Sequence, residues 1–254
     1  MANSLKQQSL DYHMLPIPGK LSVVARKPLA NQHDLSLAYS PGVAFACEAI
    51  VEDPANAALM TGRQNLVGVI TNGTAVLGLG AIGGLASKPV MEGKAVLFKK
   101  FAGVDVFDIE IEERDPHKLV EIIKSLEPTF GAINLEDIKA PQCFIVESEL
   151  RKQMKIPVFH DDQHGTAITV NAALFNALRI VDKPIKKVKV VSTGGGAAGV
   201  ACLNLLVSLG LPIEQIHLID RVGLVYKGRT EEMDDLKAKF AQDTDARSLD
   251  DVID

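Results

Sequence analysis

The stretch from Val188 to Asp220 constrains this chain more than any other. An apolar run, Val188 to Val191, leads into Gly194-Gly195-Gly196-Ala197-Ala198-Gly199; an apolar segment, Val200 to Leu209, follows, and a second run, Ile216 to Ile219, ends on Asp220. Strand, glycine turn, helix, strand and terminal acid, in that order, form the arrangement that holds a dinucleotide. Gly194 makes the tight turn, Gly196 lets the backbone approach a pyrophosphate at the helix N-terminus, and Gly199 permits close packing of helix on strand. Asp220 stands where an acid accepts hydrogen bonds from the adenosine ribose and favours NAD. Arg221 beside it suits a 2′-phosphate and favours NADP. Both cofactors stay open. Only two strands of a unit that needs about six are present, so the sequence predicts an incomplete domain and a chain that is a fragment.

Upstream, strand-like and helix-like runs alternate: Val104 to Ile111, Pro116 to Leu126, Phe130 to Leu135, a helix from Pro141 to about Met154, and Ile156 to Phe159. That alternation is the signature of an α/β unit with parallel strands. The expected fold is therefore α/β, with an N-terminal α/β catalytic domain over residues 1–183 followed by an incomplete Rossmann-type nucleotide-binding domain over 184–254. Asp182-Lys183-Pro184 marks the boundary.

Two acidic clusters, Glu136-Asp137 and Asp161-Asp162, each follow a strand and precede a helix. Strands that end at one edge of an open sheet deliver such residues to one crevice. Carboxylates gathered there suit a hard divalent cation, Mg²⁺ or Mn²⁺. Helix N-capping is the competing use, and Asp162 alone would satisfy it. His160 and His164 flank the second cluster, but the oxygen-rich surroundings argue against zinc.

Lys94 falls in a helix expected over Pro89 to Phe101. Val90, Leu97, Phe98 and Phe101 share its side, which predicts a lysine rising from an apolar face. Desolvation there lowers its proton affinity and makes an amine usable as a base near neutral pH. Ser40 and Pro41 are expected to open another helix, with Tyr39 at its entrance. Gly78, Gly80 and Gly83 also match the spacing G-x-G-x-x-G. Lys88-Pro89 interrupts the segment that should follow them, and Asn72-Gly73 suggests a hairpin with a second strand over Ala75 to Leu79, so this copy is read as a packing turn.

A formal net charge of -5, with 23% charged and 47% hydrophobic residues, gives no reason to expect a nucleic-acid or anionic-membrane partner. No apolar run reaches the roughly 18 residues of a membrane span. Cys47, Cys143 and Cys202 are odd in number and widely spaced, which fits thiols in a reducing compartment and a cytoplasmic protein.

Tyr39, Lys94, Glu136-Asp137 and Asp162, followed by a nucleotide fingerprint, resemble the malic enzymes, and most of all the bacterial, often NADP-dependent type whose malic region precedes a phosphotransacetylase-like domain in many members. The matching stretches are AYSPGVA (38–44), TNGTAVLGLGAIGGLASKPVMEGKAVLFKKFAGVDVFDIEI (71–111), GAINLEDIKAP (131–141) and FHDDQHGTA (159–167). The resemblance implies oxidative decarboxylation of malate to pyruvate and CO₂, with reduction of NADP or NAD and a requirement for Mg²⁺ or Mn²⁺. It implies Tyr39 as general acid, Lys94 as general base, Glu136, Asp137 and Asp162 as metal ligands, and a homodimer. Two departures stand out. The arginine that follows the comparable turn in larger malic enzymes is replaced here by Thr74 and Ala75, and the family's later malate-binding asparagines lie beyond Asp254. A catalytically incomplete binding or dimerisation module, or an amino-acid dehydrogenase-like enzyme, are the alternatives.

Overall fold

The computed structural model describes residues 2–253. Contacts divide the chain into two compact units, Met1–Ile138 with Val146–Val158, and Lys139–Ile145 with Phe159–Asp254. The N-terminal helices are α1 (Ala2–Met14), α2 (Gln32–Ala38), α3 (Val43–Glu52) and α4 (Asn56–Met60). Then come β1 (Leu66–Thr71), α5 (Gly84–Leu97), β2 (Asp105–Glu110), α6 (Pro116–Ser125), β3 (Ala132–Leu135), α7 (Gln142–Gln153) and β4 (Val158–His160). The remainder comprises α8 (Asp161–Ile180), β5 (Val190–Thr193), α9 (Ala197–Ser208), β6 (Ile216–Asp220), β7 (Gly223–Leu224), α10 (Asp235–Ala238) and α11 (Asp250–Ile253).

The first sheet has strand order β2-β1-β3-β4, and β1 runs parallel to both β2 and β3. Its middle strand is apolar because both faces are covered. Val69 and Ile70 of β1 are fully buried, as are Met91 of α5, Ile123 of α6 and Leu135 of β3. Each such side chain contributes about 1.5–3 kcal/mol by leaving water. Gly68 is glycine because the Phe130 ring lies against it: a Cβ there would sit 3.0 Å from the ring edge. Asp115 caps α6 by accepting from the Lys118 N–H at 2.9 Å, with Pro116 at the first helical position.

The second unit holds a three-stranded sheet, β5-β6-β7, parallel between β5 and β6 and antiparallel between β6 and β7. Val200, Leu203 and Leu206 of α9 pack with Ile216 and Leu218 of β6, and Leu174 and Leu178 bring α8 onto the same core. Asn171 ties the two helices, donating to the Ala167 carbonyl at 2.7 Å and the Cys202 carbonyl at 3.3 Å.

Four local expectations are corrected. There is no strand over 75–79: Val76 and Gly80 form a single bridge in a tight loop, and β1, α5 and β2 make a βαβ unit. The helix starts at Gly84 and runs through Pro89, its first turn held because Glu112 Oε2 accepts from the Gly84 N–H at 2.9 Å. Tyr39 is the C-cap of α2, its N–H bonded to the Leu35 carbonyl, and the next helix begins only at Val43. The side named from the sequence faces largely outward, with Val90 42% and Leu97 50% exposed on α5 and Phe101 83% exposed just beyond it, while Gly84, Ser87, Met91 and Ala95 form the buried stripe of α5. Residues 231–242 hold one short helix, α10. Glu232 adopts φ 51 and Asp234 is extended, because this segment is tied back to β6.

Candidate active site and cofactor cleft

At the carboxyl edge of the first sheet, β1 ends in a turn built from its own side chains. Thr71 Oγ1 accepts from the Gly73 N–H at 2.9 Å, Thr74 donates to Asn72 Oδ1 at 2.6 Å, and Asn72 Nδ2 donates to the Glu113 carbonyl at 3.0 Å. The glycine loop closes on this turn through the Gly83 N–H, which donates to the Gly73 carbonyl at 3.0 Å. A Cβ on Gly73 would lie 2.2 Å from the Gly83 oxygen.

Glu136 and Asp137 follow β3 at the same edge, both buried. The Glu136 N–H donates to the Ile70 carbonyl, and the Asp137 carbonyl accepts from the N–H groups of Thr74 and Ala75 at 3.1 and 2.9 Å. Asp137 sits at φ 54, a left-handed conformation that costs a residue with a side chain on the order of 1 kcal/mol or more and recurs at functional sites. Lys94 does lie with the acids: its Nζ is 3.0 Å from Glu136 Oε1, and its side chain is 20% exposed. Asn134 donates to Glu136 Oε2 at 2.9 Å, while its own buried Oδ1 receives no hydrogen bond. These donors are oxygens only, and buried oxygens of this kind suit Mg²⁺ or Mn²⁺ better than zinc.

Tyr39 and the second acidic cluster sit on other elements. Tyr39 is 72% exposed at the end of α2. Asp161 and Asp162 occupy the first turn of α8 in the second unit, where acids match the helix dipole, and Asp162 Oδ2 is 3.8 Å from Nδ1 of the buried His160.

A further acidic group on β2 escaped the sequence reading. Lys88 of α5 bonds Asp108 at 2.6 Å and Glu110 at 3.2 Å. Burial pushes the Glu110 carboxyl up, and the neighbouring Asp108 charge adds to that. Burial alone would lower the Lys88 ammonium, yet its hydrogen bonds to Asp108 and Glu110 raise it. The period-two stripe Asp108, Glu110, Glu112 was the available signal.

In the second unit the glycine turn is tight and lies directly against the helix. Gly194 has φ 122, and a Cβ on Gly199 would lie 2.1 Å from the Gly194 oxygen, so α9 rests directly on the turn. Gly196 is the N-cap, and no side chain among the described residues caps it. The turn opens on a cavity of about 450 Å³ whose walls include Thr193, Asp220, Arg221, Glu232 and Lys237.

Asp220 is held from four directions. Oδ1 accepts from Arg229 Nη2 at 2.8 Å and the Val222 N–H at 3.0 Å; Oδ2 accepts from Arg229 Nη2 at 2.7 Å and Lys237 Nζ at 2.9 Å. Burial pushes its carboxyl up, but the bonds from Arg229 and Lys237 outweigh that and hold it down at about 2. Arg221 is exposed and grips the Glu232 carboxylate, with Nε at 2.9 and 2.8 Å from its two oxygens. Arg229, Glu232 and Lys237 were not foreseen, and no Rossmann spacing rule points to residues nine to seventeen positions from the strand-end acid.

Residues 18–119 match the family model described as "Malic enzyme, N-terminal domain", and residues 163–254 match "Malic enzyme, NAD binding domain". An NADP-dependent malic enzyme of Haemophilus influenzae is 61% identical over 254 residues, which is 100% of this chain and 34% of the relative. An NAD-dependent malic enzyme of Rhizobium meliloti is 61% identical over 252 residues, 99% of this chain and 33% of the relative. Among solved structures, the malic enzyme of Pyrococcus horikoshii superposes with a TM-score of 0.83 at 46% identity, covering 86% of this chain and 51% of that one. The NAD-dependent malic enzyme of Thermotoga maritima does so with a TM-score of 0.86 at 43% identity, over 92% and 61%. The chain thus spans about a third of the length of the first curated relatives it matches.

Proposed function

The chain belongs to the malic enzyme family, and from that premise we propose that it forms the malate and cofactor sites of an enzyme that oxidatively decarboxylates malate to pyruvate and CO₂. One observation carries the reading: Lys94 Nζ stands 3.0 Å from Glu136 Oε1 at the carboxyl edge of a parallel sheet, the edge where α/β folds place their ligands. Lys94 accepts the proton of the malate C2 hydroxyl. Glu136 fixes the amine at that edge, and the Asn72-Gly73 turn, locked by the glycine loop, shapes the neighbouring wall. Tyr39 donates a proton to C3 of the product enol. Glu136, Asp137 and Asp162 are the proposed ligands of a divalent cation, supported by their oxygen-only chemistry and by their positions after the neighbouring strands β3 and β4. When bound, that cation supplies a Lewis acid for the C2 oxygen, and the nicotinamide supplies the hydride acceptor.

A second copy of the chain as partner, and a cytoplasmic place, belong to the same reading. Exposed Leu37, Phe45 and Val51 on α2 and α3 support the first. The absence of a disulfide among the described residues supports the second. No helix among those residues is long and apolar enough to cross a membrane.

The test is malate-dependent reduction of NADP or NAD by the intact protein, with and without Mn²⁺. Lys94→Ala is expected to lower kcat by about 10²–10⁴-fold while cofactor binding persists. Full-rate turnover by that variant, or turnover indifferent to chelation of the metal, would remove the proposal.

A further inference from the structure

Resting on the reading of the cleft as a nicotinamide dinucleotide site, we propose that its adenosine end selects the 2′-phosphorylated cofactor, with Arg221 as the residue that clasps the phosphate and Glu232 as a built-in anion that competes for it.

The usual marker of NAD is an acid at the end of the second strand, which accepts from the ribose hydroxyls. Asp220 occupies that position, but a carboxylate offers about four acceptor directions, and here Arg229, Lys237 and the Val222 N–H fill them. A ribose hydroxyl would have to displace a charged donor, so Asp220 is a positioning residue that anchors Arg229 and Lys237.

Arg221 offers the opposite situation. Its side chain is 82% exposed, it stands on the cavity wall, and its planar fork already holds a two-oxygen anion, the Glu232 carboxylate. Glu232 is delivered there by its backbone. It sits at φ 51, with the Arg229 side chain bonded to the Glu231 carbonyl on one side and Lys237 Nζ bonded to the Glu232 carbonyl at 2.8 Å on the other. Such an exposed ion pair is weak. A phosphate monoester carries nearly two charges near neutral pH and presents three acceptor oxygens, so it outcompetes one carboxylate for a guanidinium. Lys237 adds a second cation on the same wall. Its stem runs beside the glycine turn, where a Cβ on Gly195 would lie 3.0 Å from Lys237 Cε. Asp234, the remaining acid of the wall, is committed to capping α10 through the N–H groups of Leu236 and Lys237.

Calorimetric titration of the intact protein with 2′,5′-ADP and with 5′-AMP tests this directly, with NADPH and NADH fluorescence as a check on the whole cofactor. The native protein is expected to bind 2′,5′-ADP at least about tenfold tighter than 5′-AMP, and Arg221→Gln to erase most of that ratio without weakening 5′-AMP. Glu232→Gln is expected to tighten 2′,5′-ADP about threefold or more and leave 5′-AMP unchanged, a gain that misfolding cannot produce. Equal binding of the two mononucleotides, an equal effect of Arg221→Gln on both, or no gain from Glu232→Gln overturns the assignment. If NADH still binds in those cases, the dinucleotide reading stands, whereas failure of all four nucleotides to bind removes both.

Discussion

Two glycine-rich junctions in this chain share a spacing and differ in what fills them. Each lies between a parallel strand and a helix: Gly78, Gly80 and Gly83 lead into α5, and Gly194, Gly196 and Gly199 lead into α9. At the first, the helix N-terminus is occupied by the chain's own carboxylate, Glu112, and the loop is bonded back onto Gly73. At the second, the helix opens on a cavity of about 450 Å³. A helix N-terminus attracts an anion whatever its source. The letter pattern therefore identifies a junction able to take a phosphate, and the tertiary structure decides whether one of its own acids has already taken the place.

The largest expected effect comes from adding one carbon at each junction. Gly73→Ala places a Cβ 2.2 Å from the Gly83 oxygen, and Gly199→Ala places one 2.1 Å from the Gly194 oxygen. Backbone oxygens cannot rotate away, so each change is expected to cost about 3 kcal/mol in chemical denaturation. Only Gly199→Ala should weaken 2′,5′-ADP binding by the folded protein. Equal loss of nucleotide affinity from both would erase the distinction between the junctions.

Acid titration probes the cleft's charge balance with a somewhat smaller effect. The Asp220 carboxyl is held at about 2 in the fold, below its ordinary 3.8, because the bonds from Arg229 and Lys237 outweigh burial. A depressed folded value stabilises the protein above the unfolded value and is lost as pH falls through the folded one. The contribution, about 2 kcal/mol, should be complete above pH 5 and disappear between about pH 4 and pH 2. Urea denaturation across that range, compared with Asp220→Asn, reads it; an unchanged pH slope in the variant would show that other acids carry the effect.

The smallest effect belongs to Glu112→Gln, which leaves a neutral acceptor at the start of α5. A loss of about 0.5–1 kcal/mol in thermal melting is expected, with nucleotide binding unaffected. New nucleotide binding at the first unit in this variant would mean that Glu112 had been holding a second phosphate site closed.

Legibility followed the range of the interactions. The run from β5 through the glycine turn to β6 was readable because turn, helix packing and strand end are set by residues within about thirty positions of one another, each with a local steric or periodic cause. Lys94 was identified as the informative lysine for the wrong reason: the side of α5 thought to be buried is exposed, and what holds its amine is Glu136, 42 residues later (136 − 94). The supposed hairpin after β1 failed because Asn72-Gly73 is closed by Gly83 and Asp137, so turn chemistry that suits a hairpin was recruited to a loop over the sheet edge. Lys88 and the acids of β2 were missed even though their alternation was visible, since nothing local shows which face of a strand a helix will cover.

By itself the sequence determined the alternating α/β order, the glycine fingerprint, the acids that end β3 and β6, and the match to a family. Those depend on spacing along the chain, which sterics and hydrophobic periodicity translate directly into strands, turns and helices. Only the tertiary structure decided which acids are already satisfied. Asp220 is claimed by Arg229 and Lys237, Glu112 by the N-terminus of α5, and Glu136 is set against Lys94. Electrostatic pairing depends on distance in space and on burial, and packing alone brings such charges to within 3 Å of one another.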